Sequence, residues 1–300
     1  MRYIDLYQSG ELLTRVRQAY ARLRSCDLCP LDCRVNRLAG ETGSCRAGWQ
    51  PRIASANVHH GEEPPISGTK GSGTIFLSWC SLHCRFCQNF PISQQGNGTD
   101  LTTLDLAVRM LGLQRRGVHN INFVTPTHFL PQILAALWLA IPRGFRLPIV
   151  WNSGGYEKVD ALRLLDGIVD VYLPDMKYAA EEPAVRFSSA PGYRETNRLA
   201  VAEMLRQVGH LELDAAGIAV RGLVIRHLVL PEGAAGSGET LRWIAANLGT
   251  ETHIALMNQF FPAHRAVETP GIHRKITDEE YDEAVEALEE AGLENGWVQE

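Results

Sequence analysis

The chain is expected to be an α/β protein: a partial (β/α)6 TIM-like barrel with a small N-terminal Cys-rich metal-binding extension. Three observations carry that expectation. From residue 74 onward, short apolar runs alternate with stretches of helical period, the pattern of a parallel sheet covered by helices. Polar residues and glycines gather where those runs end, and parallel folds place their chemistry beyond the C-terminal ends of strands. All seven cysteines lie in the first 87 residues, so metal chemistry is concentrated before and just after the first strand. A doubly wound sheet is the alternative arrangement of the same units.

At 300 residues, 45% of them apolar, the chain can bury a large core. The expected division is an N-terminal helix and Cys-rich extension over residues 1–70, followed by the barrel over 71–300. A net charge of −5 argues against a generic nucleic-acid binder, which would be basic. No apolar run approaches the roughly 18 residues of a membrane span, and the opening stretch MRYIDLYQSG has no signal-peptide core. The expectation is a cytoplasmic protein with no nucleic-acid or membrane partner. In a reducing compartment, cysteines crowded in this way read as metal ligands rather than disulfides.

In chain order, residues 10–25 form an amphipathic helix, with Leu12, Leu13, Val16, Ala19, Tyr20 and Leu23 on its period. Cys26, Cys29, Cys33 and Cys45 follow as C-x2-C-x3-C-x11-C, a complete tetrahedral donor set; Gly40 and Gly43 permit the turn that returns Cys45. This second metal site suits zinc or an auxiliary Fe–S cluster, since both accept four thiolates. Residues 46–73 read as extended chain, and His59, His60, Glu62 and Glu63 as a surface turn ended by a proline pair, with a role at the mouth of the site left open. Expected strands are 74–79, 120–125, 147–152, 169–175, 222–230 and 252–259. Expected helices are 101–116, 129–141, 157–166, 193–208, 239–247 and 277–291. The last is acidic outside and packs through Val285 and Leu288.

The strand ends supply candidate site residues. Pro126 stops the second strand and frees Thr125 and Thr127; His128 follows as a possible base or a structural histidine. Asn152 and Ser153 precede Gly154-Gly155, where backbone can approach a ligand closely. Asp175 and Lys177 alternate, so both project to one side. Arg226 and His227 interrupt an apolar strand, which is costly unless they are paired or functional. Asn258 and Gln259 end the sixth strand as substrate-side contacts or caps.

After the first strand comes Cys80-Ser-Leu-His-Cys84-Arg-Phe-Cys87, spaced C-x3-C-x2-C. Three thiolates can hold three irons of a 4Fe–4S cubane and leave the fourth open to a small molecule. Zinc with His83 as a fourth ligand is the alternative. With Phe86 as the aromatic, the motif resembles the signature of radical S-adenosylmethionine (SAM) enzymes. Gly71-Ser-Gly-Thr-Ile-Phe-Leu-Ser-Trp-Cys80 and Cys87-Gln-Asn89 are similar to the branch of pyruvate formate-lyase activating enzyme and its activating-enzyme-like relatives. The resemblance covers nearly the whole chain. It implies the open barrel, a 4Fe–4S cluster, SAM, and reductive cleavage to a 5′-deoxyadenosyl radical. It also implies an electron donor such as flavodoxin or ferredoxin, and a glycyl-radical protein as the substrate to be activated. A radical enzyme acting on a small molecule or peptide, and a non-catalytic Fe–S electron carrier, are the other readings.

The resemblance further implies cofactor contacts from Phe86, Thr125, Thr127, Asn152, Ser153, Asp175, Lys177, Arg226 and His227, with Lys177 meeting the cofactor's carboxylate. The chain departs from the branch at the second strand end, where Thr-Pro-Thr stands in place of a Gly-Gly-Glu-Pro-like turn.

Overall fold

The computed structural model describes residues 1–299. Its strands are β1 (Arg52–His59), β2 (Ser72–Leu77), β3 (Thr99–Asp100), β4 (Ile121–Val124), β5 (Ile149–Ser153), β6 (Val171–Pro174), β7 (Glu212–Leu213), β8 (Ala219–Leu228), β9 (His253–Met257) and β10 (Gly296–Val298). They form one sheet in the order β10-β9-β8-β6-β5-β4-β2-β1-β3, with β7 beside β8. From β2 to β10 every neighbour on that path is parallel. The six expected strands are β2, β4, β5, β6, β8 and β9, so the mostly parallel α/β architecture of a partial barrel holds. Arg52–His59, expected as merely extended chain, is instead a strand paired antiparallel to β2.

The helices are α1 (Arg2–Gln8), α2 (Glu11–Arg22), α3 (Pro64–Ser67), α4 (Phe90–Ser93), α5 (Thr103–Arg115), α6 (Leu130–Ala140), α7 (Val159–Leu162), α8 (Glu181–Ser188), α9 (Tyr193–Val208), α10 (Ser237–Leu248) and α11 (Asp278–Glu290). Alternation along each strand sorts side chains between two layers. Ile121, Phe123, Ile149, Trp151, Tyr172, Leu223, Ile225, Ile254 and Leu256 belong to the main core under the helices. Val150, Val171, Leu173 and Val224 face the other way and pack against Ile66 of α3. Asn120 donates to the Ile66 carbonyl at 2.8 Å, so α3 is pinned beside the start of β4. That contact plugs the N-terminal end of the barrel, and the C-terminal strand ends stay open.

Helix α2 brings Leu12, Val16 and Ala19 into the main core, as its period requires. The N-terminal segment is therefore packed on the barrel rather than hung from it. Helix α8 has no counterpart among the expected elements. Its residues Glu181-Glu-Pro-Ala-Val-Arg-Phe-Ser188 carry a proline and present only Ala184, Phe187 and Ser188 inward, a short stripe that periodicity does not reveal.

Candidate functional site

Strand β2 delivers the chain to Ser78 and then turns at Trp79, whose φ of 70° places a bulky residue in the left-handed region. The loop Cys80–Asn89 follows and ends in α4. Backbone bonds from the unforeseen α8 shape it: His83 N–H donates to Ser188 O at 2.9 Å and Arg85 N–H to Phe187 O at 2.7 Å. Each thiol then meets one hydrogen-bond donor. Leu82 N–H points at Cys80 Sγ at 3.3 Å, and Ser188 Oγ donates to Cys84 Sγ at 3.0 Å. Ser93 Oγ lies 3.0 Å from Cys87 Sγ and is the donor once that thiol is ionised. Burial pushes the Cys80 thiol well up and the Cys84 thiol up to about 11, the latter against the pull of Lys177, so these two are neutral until a metal binds.

Cys80, Cys84 and Cys87 line one cavity of about 1000 Å3, part of it open to solvent, together with Phe86, Thr125, Asn152, Ser153, Asp175, Lys177 and Arg226. Three soft donors on an open cavity fit a cubane with one iron uncapped. His83 does not complete the set as a fourth ligand. Its Nε2 lies 3.0 Å from Ser44 Oγ and its Nδ1 2.9 Å from Gln94 Oε1, so both ring nitrogens are engaged. Among the described residues, no three or more His, Cys, Asp or Glu side chains are already gathered as around a single metal ion.

The cavity floor is a chain of charge. Lys177 Nζ donates to Asp175 Oδ2 at 2.5 Å, and Arg226 Nε to Asp175 Oδ1 at 2.8 Å. Arg226 Nη2 also donates to Asn152 Oδ1 at 2.8 Å, and Asn152 Nδ2 reaches Glu62 Oε2 at 3.4 Å. Burial pushes the Asp175 carboxyl up, but Arg226 and Lys177 outweigh it and hold the group below the usual range. Both cations stay charged for the converse reason: the carboxylate offsets their burial.

Several expected contacts fall elsewhere. Thr127 Oγ1 does not line the cavity; it donates to Glu157 Oε1 at 3.0 Å. Ser153 lines the cavity, but its hydroxyl donates to Glu157 Oε2 at 2.6 Å. His227 is turned from the cavity: its ring lies 2.6 Å from Met176 O and 2.9 Å from Ser237 Oγ. Strand alternation forces this, because Arg226 takes the inner position. His128 is buried, donates from Nε2 to Ser78 O at 2.8 Å, and is pushed down to about 3 by burial, so it is a structural neutral imidazole. Gly155, with φ of 68°, admits the Asp175 backbone rather than a ligand: a Cβ there would lie 2.3 Å from Asp175 O.

Glu157 escapes sequence reasoning, and Glu62 stands there between a surface turn and a role at the mouth of the site. Glu157, 2% exposed, accepts from Thr127, Ser153 and Trp151 Nε1 and ties two strand ends together. Its position just after the Gly pair was the available signal. Glu62, expected in a surface turn, is half-buried beneath Asn152, and burial pushes its carboxyl up to about 7 despite Arg226 nearby.

The N-terminal cysteines lie near one another without being gathered around one point. Cys26, Cys29 and Cys45 are buried and Cys33 half-buried. Burial pushes the Cys29 thiol up to about 12, with further contributions from Cys45, Cys26 and Cys33.

Residues 74–231, just over half of the chain, match the family model for the Radical SAM superfamily. An uncharacterized protein of Methanocaldococcus jannaschii is 31% identical over 281 residues, covering 90% of this chain and 76% of that protein. A radical SAM methyltransferase from Sphaerobacter thermophilus superposes with a TM-score of 0.50 at 15% identity, over 75% of this chain and 66% of that one. The FeFe-hydrogenase maturase HydG from Carboxydothermus hydrogenoformans gives 0.53 at 14% identity, over 99% of this chain and 68% of that one. The chain spans about two thirds of the length of these two solved proteins, and at such identities the likeness speaks for fold alone.

Proposed function

The chain belongs to the radical SAM superfamily, and from that premise we propose that it generates a 5′-deoxyadenosyl radical to abstract hydrogen from a glycyl-radical protein. Superfamily membership implies a 4Fe–4S cluster and SAM; the substrate and the activating-enzyme branch are our reading. Cys80, Cys84 and Cys87 would hold the cluster, which when bound would supply the electron that cleaves the sulfonium. The chain's own residues bind and orient. Lys177 presents an ammonium for the cofactor's carboxylate. Asp175 and Arg226 fix that lysine, Asn152 and the Thr125 backbone form the polar wall, and Phe86 offers an aromatic edge for adenine. The plug at α3 and the apolar layer around Ile66 keep water from below.

The carrying observation is the placement of Lys177, Asp175, Arg226 and Asn152 in the same cavity as the three thiols. An electron carrier needs no such amino-acid-binding floor. The branch assignment rests on the motif strings around Cys80–Asn89. Residues 1–70 serve as the extension and 71–300 as the catalytic barrel, and a flavodoxin or ferredoxin supplies electrons.

The test is anaerobic reconstitution with iron and sulfide, then SAM and dithionite, with 5′-deoxyadenosine read by mass spectrometry. Product is expected. A fully loaded cluster without product sinks the radical reading. A glycyl radical seen by electron paramagnetic resonance on a candidate partner supports the activator role. Product coupled to a metabolite with no partner protein replaces it with a small-molecule enzyme.

A further inference from the structure

Arg37 lies in a short helical turn, Arg37–Ala39, and is 1% exposed. Its guanidinium donates to Gly48 O from Nε at 3.1 Å and Nη2 at 2.6 Å, and to His128 O from Nη1 at 2.7 Å. These carbonyls satisfy its hydrogen bonds but carry no charge. The ion pairs of this region join Arg22 to Asp27 and Asp160, Arg34 to Asp27 and Asp32, and Lys158 to Asp32; among the described residues none includes Arg37. A guanidinium is a permanent cation, and burying one without an anion is strongly unfavourable.

The Arg37 guanidinium lies over the Phe129 ring at 5.7 Å, a contact that brings no anion, and its other side-chain neighbour is a cysteine. Nη1 is 3.9 Å from Cys26 Sγ. Four neutral thiols would offer it no counter-charge. Four thiolates around a centre of charge two leave two negative charges, one of which Arg37 offsets. We propose that Cys26, Cys29, Cys33 and Cys45 bind a thiophilic centre of charge two, Zn2+ or an iron–sulfur cluster, and that Arg37 is its built-in counter-cation.

The local backbone fits a closed site. A Cβ at Gly43 would lie 2.3 Å from Cys33 Sγ, so glycine is what lets the Cys45 arm close over that thiol. Uptake draws the four sulfurs inward around the centre. The site is also fixed to the first one: Ser44, next to Cys45, meets His83 between Cys80 and Cys84, and Leu31 packs against the group containing Leu82, Cys84 and Phe86. It therefore bears directly on the loop of the catalytic cluster.

The experiment uses the full chain with Cys80, Cys84 and Cys87 all changed to alanine, which isolates the second set. Metal and acid-labile sulfide are counted after anaerobic purification. We expect bound zinc without sulfide, or iron with matching sulfide, and the two patterns separate the sources. A folded triple variant without metal overturns the proposal. Should that variant not fold, the quadruple alanine variant of Cys26, Cys29, Cys33 and Cys45 is compared with the parent, and an unchanged metal count overturns it equally.

Arg37 is tested by R37M, with Tm measured before and after chelation. As the counter-cation, Arg37 favours the loaded state and burdens the stripped one. The Tm shift on metal loss is therefore smaller in R37M than in the parent. An equal shift in both proteins makes Arg37 purely structural. Neither readout needs SAM, so failure here is separable from failure of the radical reading.

Discussion

The two cysteine groups of this chain differ in what closes them. Cys80, Cys84 and Cys87 are three donors facing a cavity, and the charges around them are joined with one cation to spare: Lys177 and Arg226 both lie on Asp175. Cys26, Cys29, Cys33 and Cys45 are four donors in a packed shell, and the charge beside them, Arg37, is unpaired. An incomplete donor set over a floor with a cation to spare leaves a coordination position for a ligand that brings a carboxylate. A complete set beside an unpaired cation leaves no open position and suits the proposed negative tetrathiolate site. Catalytic and structural metal sites divide along this line generally.

The largest effect should come from breaking that division at its centre. Cys84→Ala should abolish 5′-deoxyadenosine formation, because the cluster loses one of three ligands. Cys26→Ala in the same assay should retain cluster-dependent cleavage while lowering Tm. Loss of product in Cys26→Ala with the cluster of Cys80, Cys84 and Cys87 fully loaded would mean that the two groups form one functional unit.

The role of the charged floor is sharpened by Lys177→Met. It removes the proposed partner of the cofactor's carboxylate but leaves Asp175 paired with Arg226. A charge-assisted hydrogen bond is worth about 1.5–3 kcal/mol, so SAM should bind roughly 10- to 150-fold more weakly by equilibrium dialysis. Unaltered affinity would remove Lys177 from the cofactor site. Asp175→Asn should instead act on folding, since it leaves two half-buried cations without their carboxylate, with a loss of about 1–3 kcal/mol in chemical denaturation.

Beneath that floor, Glu62 supplies a pH test. Its carboxyl rises to about 7 in the fold, first from burial, partly offset by Arg226. A raised carboxyl favours the protonated folded state. Its stabilising contribution is full below the ordinary value near 4.5 and is lost as pH rises through 7. At pH 8 the buried charge then weighs against folding by about 3 kcal/mol. Glu62→Gln should be more stable than the parent at pH 8, and the advantage should vanish toward pH 5. A pH-independent difference would mean that the group titrates normally.

Legibility from the sequence followed the same physical divide. Strands β4 and β5 were readable because an apolar run bounded by polar turns is a local property. The inner face of β8 was not: Arg226 and His227 are adjacent, and register against β6 and β9, a long-range property, decides which one enters the barrel. Thr127 looked like a ligand because its partner, Glu157, is 30 residues away. Helix α8 and its Ser188 were invisible for that reason too, since Ser188 matters only through Cys84, 104 residues earlier. Motif spacing found the thiols, and only three-dimensional contact found what holds them.

The smallest expected effect concerns that last contact. Ser188 has one hydroxyl hydrogen, and it points at Cys84 Sγ. Tyr178 Oη, 2.6 Å from Ser188 Oγ, must therefore donate to the serine, giving a relay Tyr178 to Ser188 to Cys84. Hydrogen bonds to ligand sulfurs stabilise the more negative, reduced cluster and raise its potential. If the bond differs by about 1 kcal/mol between the two redox states, Ser188→Ala should lower the midpoint by roughly 40 mV for one electron. Tyr178→Phe should move it the same way by less, because it only polarises the serine. A redox titration followed by electron paramagnetic resonance separates this from simple structural damage, which would reduce cluster content without moving the potential. An unshifted midpoint in Ser188→Ala at full cluster loading would leave the relay a packing feature and return the tuning of this cluster to Lys177 and Asp175.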